Sequence, residues 1–121
     1  MKEYIKKFPD KPTFSKGSYF DGYTLSEKNL GVEVDYIDMH KGHEFYQIET
    51  ECTHFYYIIE GSGVANINNE IYAIEKGDTI EIPIQTEFAF KGNLKMIEIM
   101  SPPFTEDLYN THKDTRKNDL I

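Results

Sequence analysis

From Gly31 to Pro103 the chain never runs far without a turn signal, and this spacing constrains the fold more than any other feature. Gly31, His40-Lys41-Gly42, Gly61-Ser62-Gly63, Asn68-Asn69-Glu70, Lys76-Gly77-Asp78, Lys91-Gly92-Asn93 and Pro102-Pro103 punctuate it. Between them lie runs rich in Val, Ile, Tyr and Phe: Val32–Met39, Glu44–Ile48, His54–Glu60, Val64–Ile67, Ile71–Ile74, Thr79–Ile82, Thr86–Phe90 and Lys95–Met100. Val32 to Ile37 opens with apolar/polar alternation, the signature of a half-buried strand. Asn68-Asn69 suits a hairpin turn that tolerates positive φ. No helix-period segment interrupts the series, so the pattern predicts an all-β sandwich or barrel.

At 121 residues there is room for one domain. Nine Tyr and eight Phe make up for the absence of Trp and favour strands. A formal net charge of −8 repels phosphate backbones and anionic membranes, which argues against a nucleic-acid or membrane partner. Cys52 is alone, so no intrachain disulfide forms, and the acids beside it disfavour a reactive thiolate. No apolar run reaches the ~20 residues of a membrane span, and MKEYIKKFPD lacks a signal-peptide core, so the expected location is cytoplasmic.

Three regions follow. Residues 1–31, broken by Pro9, Pro12, Gly17 and Gly22, read as an extended N-terminal arm with short extended pieces at Tyr4–Phe8 and Ser18–Tyr23. That arm is expected to form a homodimer with a second copy. Residues 32–103 form the barrel. Residues 104–121 are expected to hold a short helix, with Thr105 capping, Glu106 and Asp107 in its first turn, and Leu108 and His112 on one face. A frayed charged tail ends the chain.

The landmarks resemble the cupin superfamily. Its first motif, G-x5-H-x-H-x3-E-x6-G, fits the glycine frame as Gly42, Ile48, Thr50, His54 and Gly61, and the second, G-x5-P-x-G-x2-H-x3-N, as Gly77, Pro83, Gln85, Phe88 and Gly92. Ile58-Ile59-Glu60-Gly61-Ser62-Gly63 and Gly77-Asp78 are also cupin-like. The resemblance covers roughly residues 32–103 and implies a double-stranded β-helix, that is, a jelly-roll barrel. It also implies a divalent metal held by two histidines, a glutamate and a third histidine. Here those positions hold Ile48, Thr50, His54 and Phe88, and a lone imidazole cannot hold a labile metal. The expectation is therefore no cofactor and no metal.

In this frame Ile48, Thr50, His54 and Phe88 face the barrel interior, and period-two extension adds Tyr56, Thr86 and Phe90. The expected ligand pocket is Ile48, Thr50, His54, Thr86, Phe88 and Phe90, an apolar wall with one imidazole. The candidate catalytic residues are His54 as acid or base, with Tyr56 or Tyr36 as partner.

Four readings compete. The first is a metal-independent cupin that binds a small polar or sugar-like ligand. The second is an acid–base enzyme similar to the sugar-nucleotide epimerases and ketoisomerases of the superfamily, which need no metal and use histidine and tyrosine. The third is a noncatalytic regulatory module. The fourth is a metal enzyme with ligands drawn from His40, His43, His54 and a glutamate.

Overall fold

A computed structural model describes residues 4–27, 30–103 and 112–121. It is built from antiparallel strands: β1 (Phe14–Ser15), β2 (Phe20–Thr24), β3 (Glu33–Met39), β4 (Phe45–Glu49), β5 (Thr53–Ile67), β6 (Glu70–Glu75), β7 (Thr79–Ile82), β8 (Phe88–Ser101) and β9 (His112–Lys117). No helix is present among the described residues.

Two long strands organise the barrel. β5 and β8 pair along almost their whole length, from Thr53 opposite Ser101 to Ile67 opposite Phe88. The later part of β8 has β3 on its other side, and β3 carries β2 and β1 beyond it. The early part of β5 also pairs with β7. At the other end, Phe88 of β8 meets Gln47 of β4, β4 carries β9, and the later part of β5 pairs with β6. The two layers therefore share the same pair of strands and fold over onto each other, which is the jelly-roll solution to exposed sheet edges.

The glycine-rich sequences at Gly61–Gly63 and Lys91–Asn93 predict turns. The structure runs both strands straight through. Gly63 faces Gly92 across the ladder. A Cβ on Gly63 would collide with the Lys91 carbonyl, and one on Gly92 would meet the Ser62 carbonyl. These glycines allow close backbone approach where the paired strands pass from one layer to the other, so they mark a shared bend and not a chain reversal. The reversals lie elsewhere. Asn68 and Asn69 both take positive φ (49° and 67°), as the two central residues of a type I′ hairpin must.

Two further expectations are corrected. The sheet begins at Phe14, inside the stretch read as an arm, because β1 and β2 extend the β3 layer. The expected helix start, Thr105 to Leu108, lies outside the described residues. Its far end, His112, opens β9, so residues 112–117 are a strand paired to β4 and not a helix followed by a frayed tail.

The tail is firmly attached. The Asn118 amide donates to the carbonyls of His43 (2.8 Å) and Phe90 (3.0 Å). The Tyr46 hydroxyl donates to Asp119 at 2.6 Å, and the Arg116 guanidinium lies 3.8 Å from the Tyr46 ring centroid. A charged sequence reads as frayed only until a neighbour satisfies its backbone, and β4 does that here.

Between the layers, Met39, Tyr56, Ile58, Ala65, Ile74, Phe88, Phe90, Leu94 and Met96 form one apolar core that closes one end of the barrel. Each large side chain there contributes roughly 1.5–3 kcal/mol of burial free energy. The opposite end is lined by ionisable groups and stays open.

Candidate active site

The open end holds a cavity of about 550 Å³, within the range of small-molecule sites. Its apolar wall includes Phe14, Phe20, Phe45 and Tyr56. Its ionisable groups include Glu33 and Asp35 on β3, Glu49 on β4, His54 on β5, Glu98 on β8, His112 and Asp114 on β9, and His43 and Glu44 before β4.

The His54 ring is buried between two carboxylates. Its Nδ1 lies 2.7 Å from Glu98 Oε2, a short charge-assisted hydrogen bond. Its Nε2 faces Glu49 Oε1 at 3.5 Å, an ion-pair separation at which Nε2 has no hydrogen-bond partner. Burial favours the neutral ring, but Glu49 and Glu98 override it and push the His54 pKa up to about 9. At neutral pH the residue is an imidazolium whose Nδ1–H is spent on Glu98 and whose Nε2–H is unpaired.

Glu49 is the matching acceptor. Burial would raise its pKa, but the hydrogen bond from His112 and the nearby His54 imidazolium hold it down near 2. His112 Nδ1 donates to Glu49 Oε1 at 2.8 Å, which leaves Oε2 buried and without a hydrogen-bond partner. Glu98 is likewise held below the usual carboxylate range, chiefly by His54 acting against burial. The Tyr56 hydroxyl sits 3.5 Å from His54 Nδ1, and burial keeps it protonated.

Asp35 behaves differently. It is fully buried, neither of its oxygens has a hydrogen-bond partner, and its register partner on β8 is Glu98. Desolvation, helped by Glu33 and Glu98, pushes its pKa up to about 9, so it is a neutral carboxylic acid at pH 7. His43 is also neutral. Burial drops its pKa to about 4, and its Nδ1 accepts the Phe90 backbone N–H at 2.9 Å, which places the ring proton on Nε2.

Of the residues expected in the pocket, His54 and Tyr56 line the cavity, and the others do not. Phe88 and Phe90 are packed in the closed end against Tyr56 and His43. Thr86 sits in the turn before β8, its hydroxyl near the Ile84 carbonyl. Ile48 and Thr50 are on the wrong phase, because Phe45, Gln47 and Glu49 are the β4 residues that line the cavity. The cupin frame fits the glycines while placing this strand one residue out, and in a strand that exchanges the two faces. Tyr36 lies on the outer face, against Tyr23 and Phe8.

His40 is exposed and paired with Asp21 at 3.3 Å, so it does not converge with His43 and His54. Among the described residues no group of three or more His, Cys, Asp or Glu is arranged to hold a metal ion. The chemistry of the four frame positions agrees. Ile48 and Phe88 offer no lone pair, and His54 carries its proton to high pH, so the superfamily's metal does not fit this donor set. Cys52 is buried, and desolvation with Glu49, Glu33 and Glu51 nearby raises its pKa to about 11, so its thiol stays protonated.

Asp35, Glu49, Glu98 and His112 were not singled out from sequence. One signal was available. Asp35 shares strand parity with Ile37 and Met39, and Glu98 with Met96 and Met100. Both acids therefore sit in a core stripe, while Val34, Tyr36, Ile97 and Ile99 form an equally apolar outer stripe that masks it.

The fold is a cupin-type barrel, and its cavity is lined by this acid–histidine cluster. The structural comparisons agree on the fold. The chain is similar to Streptomyces Pac13, described as a unique nucleoside dehydratase. A Tyr→Phe variant of Pac13 solved with uridine superimposes with a TM-score of 0.83 at 21% identity, over 97% of this chain and 93% of that one. It is also similar to ectoine synthase from P. lautus (TM-score 0.72, 13% identity, 96% of this chain and 92% of that one). The Schizosaccharomyces pombe Cnp3 cupin domain matches with a TM-score of 0.61 at 12% identity, over 69% of this chain and 64% of that one. In sequence, the uncharacterized protein MJ1618 of Methanocaldococcus jannaschii is 39% identical over 64 residues, a match that spans 50% of this chain and 46% of that protein. No protein-family model matches the chain. No helix among the described residues is long and apolar enough to cross a membrane.

Proposed function

We propose that the protein is an acid–base enzyme of the dehydratase type, acting on a small, uncharged, polyhydroxylated ligand such as a nucleoside or free sugar. One observation carries this reading. His54 Nε2–H and Glu49 Oε2 are an unpaired proton donor and an unpaired carboxylate in the wall of the same cavity, on groups 3.5 Å apart. Unsatisfied buried polar atoms are costly and are expected to find partners in a bound molecule.

The chemistry balances in one cycle. A hydrogen on carbon beside a carbonyl passes to the Glu49 carboxylate, and its electron pair forms the new double bond. The hydroxyl on the next carbon leaves as water with the proton of His54 Nε2. The proton on Glu49 then returns to His54. The Pac13 description as a nucleoside dehydratase, and its variants solved with uridine, support this class of ligand.

The charge of the lining narrows the ligand. Glu33, Glu44, Glu49, Glu98 and Asp114 surround the cavity, against Lys16 and the two paired imidazoles of His54 and His112. A phosphate would meet net negative charge, which disfavours the sugar-nucleotide alternative. In calorimetry, uridine is expected to bind at least about tenfold more tightly than its 5′-monophosphate, a difference of about 1.4 kcal/mol. Incubation with a panel of oxidised nucleosides and sugars should yield a product lighter by one water, and Glu49→Gln should lose this turnover. If no panel member binds or turns over, the reading falls.

We also propose a homodimer. Tyr4, Ile5, Phe8, Tyr57 and Ile59 are large apolar side chains exposed on the arm and the outer sheet face. Light scattering at micromolar concentration should give twice the chain mass, and a monomer would overturn this.

A further inference from the structure

Glu49 Oε1 faces two imidazoles and is hydrogen-bonded to only one of them. It lies 2.8 Å from His112 Nδ1 and 3.5 Å from His54 Nε2. Without His112, the nearest cation to Glu49 would be His54, and the two would close to the ~2.8 Å of an ordinary charged hydrogen bond. That bond would consume the Nε2–H donor that the site needs unpaired.

We propose that His112 is a positioning residue that competes for Glu49 and so keeps the His54 Nε2–H open to the ligand. The inference rests on the acid–base reading of His54 and extends the site to the C-terminal strand.

The geometry makes His112 suited to this task. β9 pairs with β4 so that His112 is the register partner of Glu49 and Asp114 that of Gln47. His112 Nε2 lies 3.2 Å from Asp114 Oδ1, so a second carboxylate orients the ring from the solvent side, as outer partners orient ligating or catalytic histidines elsewhere. The titratable groups around the Glu49–His54 pair come from every wall: Glu98 and Asp35 from β8 and β3, Glu33 beyond them, His43 and Glu44 before β4, and His112 and Asp114 from β9.

The test is His112→Leu, read without any ligand. A crystal structure is expected to show a Glu49 oxygen within hydrogen-bonding distance of His54 Nε2. NMR titration should show the His54 midpoint rising by about one unit, a tenfold tighter hold on its proton. Loss of the His112 charge alone would also raise the midpoint, but it would not close the gap, so the distance decides between them. His112→Asn, whose amide can still donate to Oε1, should keep the native separation. Should the leucine variant fail to fold, His112→Ala provides the same reading. An unchanged Glu49–His54 distance in the variant that lacks the donor, or a Glu49 turned toward solvent with a falling His54 midpoint, would overturn the proposal. Uridine affinity should drop at least about tenfold in His112→Leu and be kept in His112→Asn. If the native protein does not bind uridine, the ligand reading fails, while the distance still tests His112.

Discussion

His54→Gln should destabilise the barrel by about 3–5 kcal/mol at neutral pH, the range for removing one member of a buried ion pair. The reason is the pair of buried carboxylates left behind. Glu98 loses its 2.7 Å hydrogen bond and Glu49 its facing cation, and the two then repel each other in a region that little water reaches. Urea denaturation at pH 7 measures the loss, and a drop below about 1 kcal/mol would show that the imidazolium is not what holds these carboxylates. Adding Glu98→Gln to His54→Gln removes one of the stranded charges and should recover a substantial part of the loss.

The same cluster sets a pH profile. The His54 pKa is about 9 in the folded chain, above its ordinary 6.5, so its stabilisation is complete below about 6.5 and disappears as pH rises through 9. Glu49 titrates near 2, below its ordinary 4.5, so its stabilisation is present above about 4.5 and is lost as pH falls through 2. The ion pair therefore favours a stability plateau between these limits.

Asp35→Asn should move stability in the opposite direction, raising it by about 1–3 kcal/mol at pH 7. Asp35 is completely buried, has no hydrogen-bond partner on either oxygen and stands beside Glu98. Its folded pKa, raised from 3.8 to about 9, means that the folded chain keeps a proton that the unfolded chain releases. The sign follows from proton linkage. The unfolded state is favoured progressively as pH rises from about 4 to 9, so the aspartate is a growing liability across that range. Asparagine has nearly the same shape and no proton to lose. The gain should be near zero at pH 4 and largest near pH 9, seen as a rise in Tm of a few degrees per kcal/mol. A destabilised Asp35→Asn protein at pH 7 would mean that the carboxyl has a partner that asparagine cannot replace. An unfavourable buried group of this kind fits a binding cavity, where stability is commonly traded for function.

Much of the barrel was legible because strands and turns are local. Thr79–Ile82 has the limits expected from its flanking signals, and the positive φ values at Asn68 and Asn69 are what that dipeptide favours. Where one residue type serves two purposes, the reading slipped. Gly61, Gly63 and Gly92 looked like turns because a chain reversal and a close backbone crossing both need a missing side chain, and only the partner strand distinguishes them.

The stretch from Gly42 to Gly61 shows the same division. Its glycines fixed the family of fold from spacing alone, and His54 was identifiable as a group facing the interior. The acids that give His54 its charge were hidden. Glu49 lies one residue out of the expected phase, and a strand's inward face depends on which sheet covers it. Glu98 and Asp35 alternate with β-branched and aromatic residues that looked like the core and instead form the outer face. His112 is 58 residues from His54 along the chain and belongs to a segment whose composition reads as disorder. The sequence by itself determined an antiparallel cupin barrel with a buried histidine and none of the superfamily's other metal positions filled by ligands. Tertiary structure alone decided that histidine's partners, because charge, burial and proton affinity depend on distances between strands that local pattern does not contain.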